Sequence, residues 1–194
     1  MLPTTYNPKE HEDAIYDAWK ASGIFAPEAL KPRTDNPNPE AFTIVMPPPN
    51  VTGRLHMGHA MMLAIQDVMI RFERMRGKKA LWIPGLDHAA IATQNVVEKD
   101  LWKKEKKTRH DVGREEFLKR VDTFVEESKS IIRQQIQKMG TSCDWSRERY
   151  TMDAGLSRAV RHVFVDLYRR GYVYRGLRLV NWCPRCSTAI SDDE

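Results

Sequence analysis

Residues 47–60 read P-P-P-N-V-T-G-R-L-H-M-G-H-A and concentrate groups suited to holding a charged ligand. Three consecutive prolines keep a backbone extended and remove its amide donors, which leaves carbonyls free to accept bonds from a cation such as an amino acid's α-ammonium. Gly53 and Gly58 clear side chains from the path of an approaching ligand. His56 and His59 are three residues apart, so at a helix start both imidazoles can face one ligand and donate to phosphate oxygens. The free amides and positive dipole of that helix start favour the same anion. A nucleotide fits there. The plain alternative, given equal weight, is that one histidine caps the helix while the other packs. A zinc pair lacks a third ligand nearby.

A second block, P-G-L-D-H-A-A-I-A-T-Q at 84–94, carries Asp87. Its carboxylate could pair with a substrate ammonium beside the first block. Taken alone, it more often caps the helix that follows. Two other nucleotide motifs are excluded. Gly53 and Gly58 have the glycine spacing of a P-loop, but His59 and Ala60 stand where Lys and Ser or Thr are required. No G-x-G-x-x-G follows a strand, which disfavours a dinucleotide dehydrogenase.

Both blocks need a strand before them and a helix after them. Ala41–Met46 is a short apolar, β-branched run that reads as a buried parallel strand. Met61, Ile65, Val68, Met69, Phe72 and Met75 recur at helical spacing from a start near Met57 to a stop at Gly77. Ala80–Ile83 is a second strand, so the order is strand, loop, helix, strand: a right-handed βαβ unit. Ligands bind at the carboxyl ends of such strands. Another helix starts near 87–91. Gly113–Met139 is a long amphipathic helix with Phe117, Val121, Phe124, Val125, Ile132, Ile136 and Met139 on one face, ended by Gly140. Leu156–Tyr168 marks a further helix stopped by Gly171, and Leu177–Trp182 reads as a third strand. Upstream, Asn7-Pro8 caps a short peripheral helix with Ile15 and Trp19 on its apolar stripe, ending near Gly23. Four prolines between Pro27 and Pro39 make a linker or covering loop.

The chain has 194 residues, 41% hydrophobic and 29% charged, with 10 Gly and 11 Pro, which disfavours collagen-like, disordered and low-complexity classes. No apolar stretch approaches the roughly 18 residues of a membrane span, and the N-terminus has neither a basic start nor an apolar signal core, so a cytoplasmic location is expected. The net charge of +5 is uneven. Residues 155–190 hold seven Arg against Asp166 alone, a candidate surface for nucleic-acid phosphates. The basic run 99–110 reads as a solvated helix end. Cys183 and Cys186 form a C-x-x-C, and Cys143 reads as a small buried hydrophobe.

H-M-G-H at 56–59 resembles the histidine signature of class I aminoacyl-tRNA synthetases. The surrounding P-P-P-N-V-T-G, the G-L-D-H-A-A-I-A-T-Q block at 85–94, D-W-S-R-E-R at 144–149 and N-W-C-P with T-A-I-S-D at 181–192 are similar to the valine branch of that class, the valyl-tRNA synthetases. Leu86 and Ala90 stand where that family more often has Thr and Gly. The resemblance implies an α/β fold: the first half of a Rossmann-like parallel sheet with flanking helices, preceded by a short N-terminal helix. It implies a division into an N-terminal helix and Pro-rich linker (1–40), the first half of the catalytic domain (41–182) and the start of an editing-domain insertion (183–194).

The activity implied is ATP-dependent activation of valine to valyl-adenylate, with Mg2+, and transfer to tRNA(Val). By the same resemblance His56 and His59 are catalytic and hold the phosphates. Thr52, Gly53 and Gly58 shape the ATP site with them, and the Pro47 carbonyl, Asn50 and Asp87 receive valine's ammonium end. Threonine is nearly isosteric with valine, the known case in which a hydrophobic pocket discriminates poorly, so a separate hydrolytic site is needed. The class also uses a K-M-S-K-S loop. K-M-G-T-S at 138–142 is a decoy for it, because it sits at a helix end and lacks the second Lys. Some members bind Zn2+ through a second cysteine pair. Cys183 and Cys186 are then half a site in a full-length protein and unliganded thiols here, since two thiolates cannot complete a tetrahedron. The expected state is a monomeric N-terminal part, inactive alone. The alternative is a truncated, non-catalytic nucleotide- or tRNA-binding module.

Overall fold

The computed structural model describes residues 5–29 and 38–191. It divides into two compact units, 1–151 and 152–194. The first unit opens with helix α1 (Pro8–Ser22), capped by Asn7 at one end and by left-handed Gly23 (φ 69°) at the other, as expected from the sequence. A 3-10 turn covers Pro27–Ala29. The remainder of the expected Pro-rich linker, at 30–37, lies outside the described residues.

Strand β1 (Ala41–Val45) is followed by helix α2 (Met57–Met75) and strand β2 (Lys79–Ile83). The two strands pair in parallel, Ala41 opposite Lys79 through Val45 opposite Ile83, which is the expected βαβ unit. Pro84 interrupts β2, and β3 (Gly85–Leu86) continues its direction along a new partner. Helices α3 (Ala90–Glu105), α4 (Arg109–Val112) and α5 (Arg114–Lys138) follow, and β4 (Arg149–Tyr150) then pairs in parallel with β3.

One core joins the strands, α2 and α5. Met46, Val51, Leu63, Ile70, Trp82, Leu86, Ile132, Ile136 and Cys143 are all buried in it. Trp82 satisfies its indole N–H on Gln66 Oε1 at 3.0 Å. A second cluster of Val97, Leu101 and Phe117 joins α3 to α5. One expectation about burial is corrected. β1 is not buried on both faces: Phe42 and Ile44 turn inward, but Val45 is 68% exposed. Parallel sheets are covered by helices on each side, and among the described residues this face of β1 stays open. The apolar series on α2 likewise points outward, with Met61, Ile65, Val68, Met69, Phe72 and Met75 exposed, whereas Leu63 and Ile70 fill the core.

α1 is anchored by Tyr16 rather than by the expected Ile15. Buried Tyr16 donates its hydroxyl to the Thr141 carbonyl (2.8 Å) and accepts from Trp145 Nε1 (2.7 Å), while Ile15 is exposed. Burial pushes the Tyr16 hydroxyl up to about 12.

The second unit contains α6 (Ala154–Arg169), capped by Asp153, whose carboxylate accepts from the Leu156 amide at 2.8 Å. It also contains an antiparallel pair, β5 (Trp182–Cys183) with β6 (Thr188–Ala189). The expected third strand at 177–182 is not formed. Residues 174–181 carry no strand, and Leu177 and Leu179 are fully exposed. An apolar run becomes a strand only when a neighbouring edge takes its amides, and the third parallel partner is β4 instead. Among the described residues no helix is long and apolar enough to cross a membrane.

Candidate active site

Because β1 and β2 are parallel and in register, the segments that leave them emerge at one carboxyl edge. The pairing then continues past the strands. The Met46 amide donates to Ile83 O, the Asp87 amide to Pro49 O and the Val51 amide to Asp87 O, each at 2.9 Å. Asn50 and Asp87 thereby form a parallel bridge, side by side. Proline in the first segment and Pro84 in the second remove amides that a regular ladder would use, so the two segments join through selected contacts. Of the three prolyl carbonyls, that of Pro49 is taken by Asp87, and Pro47 lies exposed at the start of the loop.

Asp87 does not cap the helix after it. The cap position of α3 belongs to Ala89, which is left-handed (φ 46°) and makes no side-chain capping bond. That conformation costs an L-residue about 1 kcal/mol. It is accompanied by a bond from the buried Thr93 hydroxyl to the His88 carbonyl at 2.6 Å. The Asp87 carboxylate is thus left at the edge, where it accepts from the Thr151 hydroxyl at 2.8 Å.

His56 and His59 do face each other, with ring centroids 4.0 Å apart and planes at 55°. Both are caps as well. His56 Nδ1 accepts from the Gly58 amide at 3.1 Å, and His59 Nδ1 accepts from the His56 amide at 3.4 Å, a reciprocal capping box. A nitrogen that accepts carries no proton, so each neutral ring bears its hydrogen on Nε2. Capping and phosphate binding are therefore compatible here: the box consumes Nδ1 and leaves Nε2–H as a donor. Burial, and then the charge of His56, lower the pKa of His59, which favours this neutral form.

Gly58 also makes room for the cap itself. A Cβ there would stand 3.0 Å from His56 Cε1 and 3.1 Å from Nδ1, so any larger residue would force the capping ring to shift. At Gly53 a Cβ would meet nothing within 4 Å. Thr52 and Gly53 lie in the turn between the bridge and α2.

Three contributors escaped the sequence reading. Gln135 of α5 accepts from the Leu55 amide at 2.9 Å, tying the loop before α2 to the long helix. Thr151 and His88 join Asp87, with His88 Nδ1 2.6 Å from Thr151 Oγ1. Their partners are 80 and 63 residues away, and no local pattern marks such pairs. Tyr150, next to Thr151, sits edge-on to the His88 ring at 6.5 Å, and Lys129 Nζ lies 3.7 Å from the Tyr150 ring centroid.

The segment 138–142 is structural. Lys138 pairs with Asp13, Gly140 is left-handed, and Ser142 is buried. The Ser142 amide donates to Asp67 Oδ1 at 2.9 Å and its carbonyl accepts from Arg74 at 2.8 Å. Cys143 is fully buried, and burial pushes its thiol up to about 12. In the second unit the Cys186 amide donates to Cys183 Sγ at 3.4 Å, and this amide leads the causes that lower the Cys183 thiol. Among the described residues no group of three or more His, Cys, Asp or Glu could hold a metal ion.

The sequence profile described as "tRNA synthetases class I (I, L, M and V)" matches residues 14–194. The chain belongs to this family of class I tRNA synthetases. Relatives named valine–tRNA ligase include those of Treponema denticola, 56% identical, and Thermotoga maritima, 51% identical, each aligned over 193 residues. The matches cover 100% of this chain and 21% of each relative, so the chain spans about a fifth of their length. Among solved structures, the agnB2 LeuRS of Agrobacterium radiobacter K84, in a ternary complex with tRNA and LeuAMS, superposes with a TM-score of 0.75. It is 21% identical and covers 97% of this chain and 22% of its own, which shows the shared synthetase fold. The edge that carries the bridge and the paired histidines is therefore the edge of a class I synthetase sheet.

Proposed function

We propose that this chain is the N-terminal catalytic part of a valine–tRNA ligase, which activates valine with ATP and transfers it to tRNA(Val). The observation that carries this reading is that the segment leaving β1 first bridges to Asp87 at Asn50 and then forms the His56–His59 capping box, which leaves two Nε2–H donors. Valine brings a cation and ATP a polyanion, and adenylation joins them.

In the proposed step a valine carboxylate oxygen attacks the α-phosphate, the bond to the β-phosphate breaks, and pyrophosphate leaves with the electron pair. No proton needs to move, so positioning and charge stabilisation carry the chemistry. Asp87, Asn50 and the Pro47 carbonyl hold the ammonium. His56 and His59 donate to phosphate oxygens as charge grows on them, and Thr52, Gly53 and Gly58 shape the nucleotide's path. Mg2+ would enter with the nucleotide, since its usual partners are phosphates with one or two carboxylates. Zn2+ would need a second cysteine pair beside Cys183 and Cys186. The arginines of 155–190 are the proposed tRNA contact, and the protein is read as a cytoplasmic monomer.

The test is valine-dependent exchange between ATP and pyrophosphate by the full-length protein. Exchange with valine, lost on His59→Ala and Asp87→Ala, is expected. Equal exchange without amino acid, or none with valine, would overturn the proposal.

A further inference from the structure

We propose that Thr151 is the positioning residue of the ammonium site. Its hydroxyl fixes the Asp87 carboxylate and holds neutral His88 with the proton on Nδ1, so that His88 offers a bare Nε2 as a second acceptor for an α-ammonium. This rests on the reading of the edge as an amino-acid site and deepens it.

The hydrogen-bond roles at Thr151 fix the His88 tautomer. Thr151 Oγ1 has three partners: Asp87 Oδ1 at 2.8 Å, the His88 amide at 2.9 Å and His88 Nδ1 at 2.6 Å. A hydroxyl has one proton and two lone pairs. A carboxylate only accepts, so the proton goes to Asp87. A backbone amide only donates, so it fills one lone pair. The second lone pair faces Nδ1, which must therefore donate. In a neutral imidazole that leaves Nε2 without a proton.

The arrangement is held from both sides. The Thr151 amide donates to the Leu86 carbonyl at 3.1 Å, continuing the β3–β4 pairing and fixing where the hydroxyl stands. The neighbouring Tyr150 ring meets His88 edge-on, with its own face engaged by Lys129, which is paired to Glu126. Asp87 and His88 keep about a third of their side-chain surface accessible, enough to meet a ligand.

The three histidines at this edge thus take opposite tautomers for opposite charges. His56 and His59 accept locally and present N–H, as an anion requires. His88 donates locally and presents a lone pair, as an ammonium with three donors requires. The Thr151 hydroxyl bonds both the carboxylate and the ring, and His88 Nδ1 also lies 3.4 Å from Asp87 Oδ1, a second acceptor for the same Nδ1 proton.

The experiment uses the full-length protein with Thr151→Val and Thr151→Ser. The Val variant is expected to raise the valine KM at least tenfold with the ATP KM unchanged within twofold. The Ser variant, which keeps a hydroxyl, is expected to stay within about threefold of the parent on both. A purely structural role would move the two KM values together, so a parallel rise overturns the proposal, as does a valine KM within twofold in the Val variant. Nitrogen-15 NMR of histidine-labelled parent protein gives a readout that needs no activity. His88 is expected to show a protonated Nδ1 and a bare Nε2, and the reverse pattern refutes the inference even if Thr151→Val fails to fold. If the parent itself shows no valine-dependent exchange, the functional reading fails, while the NMR result still decides the role of Thr151.

Discussion

Replacing Gly58 by alanine separates the stability of α2 from the placement of His56. Gly58 is the second residue of the helix, where alanine is intrinsically better by up to about 1 kcal/mol. The added methyl would stand 3.0 Å from His56 Cε1 and 3.1 Å from Nδ1. Carbon atoms settle at about 3.5 Å or more, so the ring must retreat by roughly 0.5 Å or rotate out of the cap. Losing the cap costs about 1 kcal/mol. The two effects nearly cancel, and a thermal midpoint within about 4 °C of the parent is expected. Activity does not share that cancellation. If His56 holds the reacting phosphate as proposed, a displacement of this size should cost about ten- to a hundredfold in turnover. The assay is valine-dependent ATP–pyrophosphate exchange by the full-length protein, with the melting curve taken on the same sample. Turnover within twofold of the parent would refute the claim that Gly58 exists for the histidine. A midpoint lowered by 10 °C or more would refute the claim that the two stability effects offset each other.

The remaining predictions concern the pH response, the α1 anchor and the thiols. His59 has a lowered pKa, so its contribution to stability is complete above the ordinary histidine value of about 6.5 and is lost as pH falls through the lower folded value. Protonation also removes the Nδ1 acceptor of the capping box. Acidification from pH 7.5 to 5 should therefore lower the melting midpoint of the parent more than that of His59→Gln, which keeps an N3 acceptor without titrating; equal slopes would count against this. Tyr16→Phe leaves the buried Thr141 carbonyl and the Trp145 indole N–H short of a partner and should cost about 1–3 kcal/mol in urea unfolding. A change under about 0.5 kcal/mol would show that α1 is held by packing alone. Alkylation at pH 8, followed by peptide mass spectrometry, should modify Cys183 first and reach Cys143 only after denaturation, because the first thiol is lowered and the second is buried and raised; equal labelling of the two would contradict the burial of Cys143.

What the sequence determined by itself was local. Asn7-Pro8 and Gly23 bound α1, Gly77 and Gly140 follow α2 and α5, and the alternation of short apolar runs with a helix announces a parallel βαβ unit. Capping, proline restriction and helical periodicity act over a few residues, so they are written in neighbouring letters. The candidate edge was legible for the same reason, since strand ends and helix starts are local features. The resemblance to a synthetase family then gave roles to His56, His59, Asn50 and Asp87.

The contacts that hold that edge together come from pairs far apart in the chain and are visible in the fold alone. Asn50 meets Asp87 through amides that skip the prolines, Gln135 reaches Leu55 across 80 residues, and Thr151 reaches His88 across 63. β4 has two residues, too few to show a period, whereas the longer apolar run at 177–182 forms no parallel strand and only its last residue, Trp182, enters the short antiparallel pair β5–β6. The stripe most apolar to the eye on α2 faces outward, because burial depends on which surface meets another element. Hydrogen bonds and burial are properties of pairs, and a pair distant in sequence leaves no mark in either of its neighbourhoods.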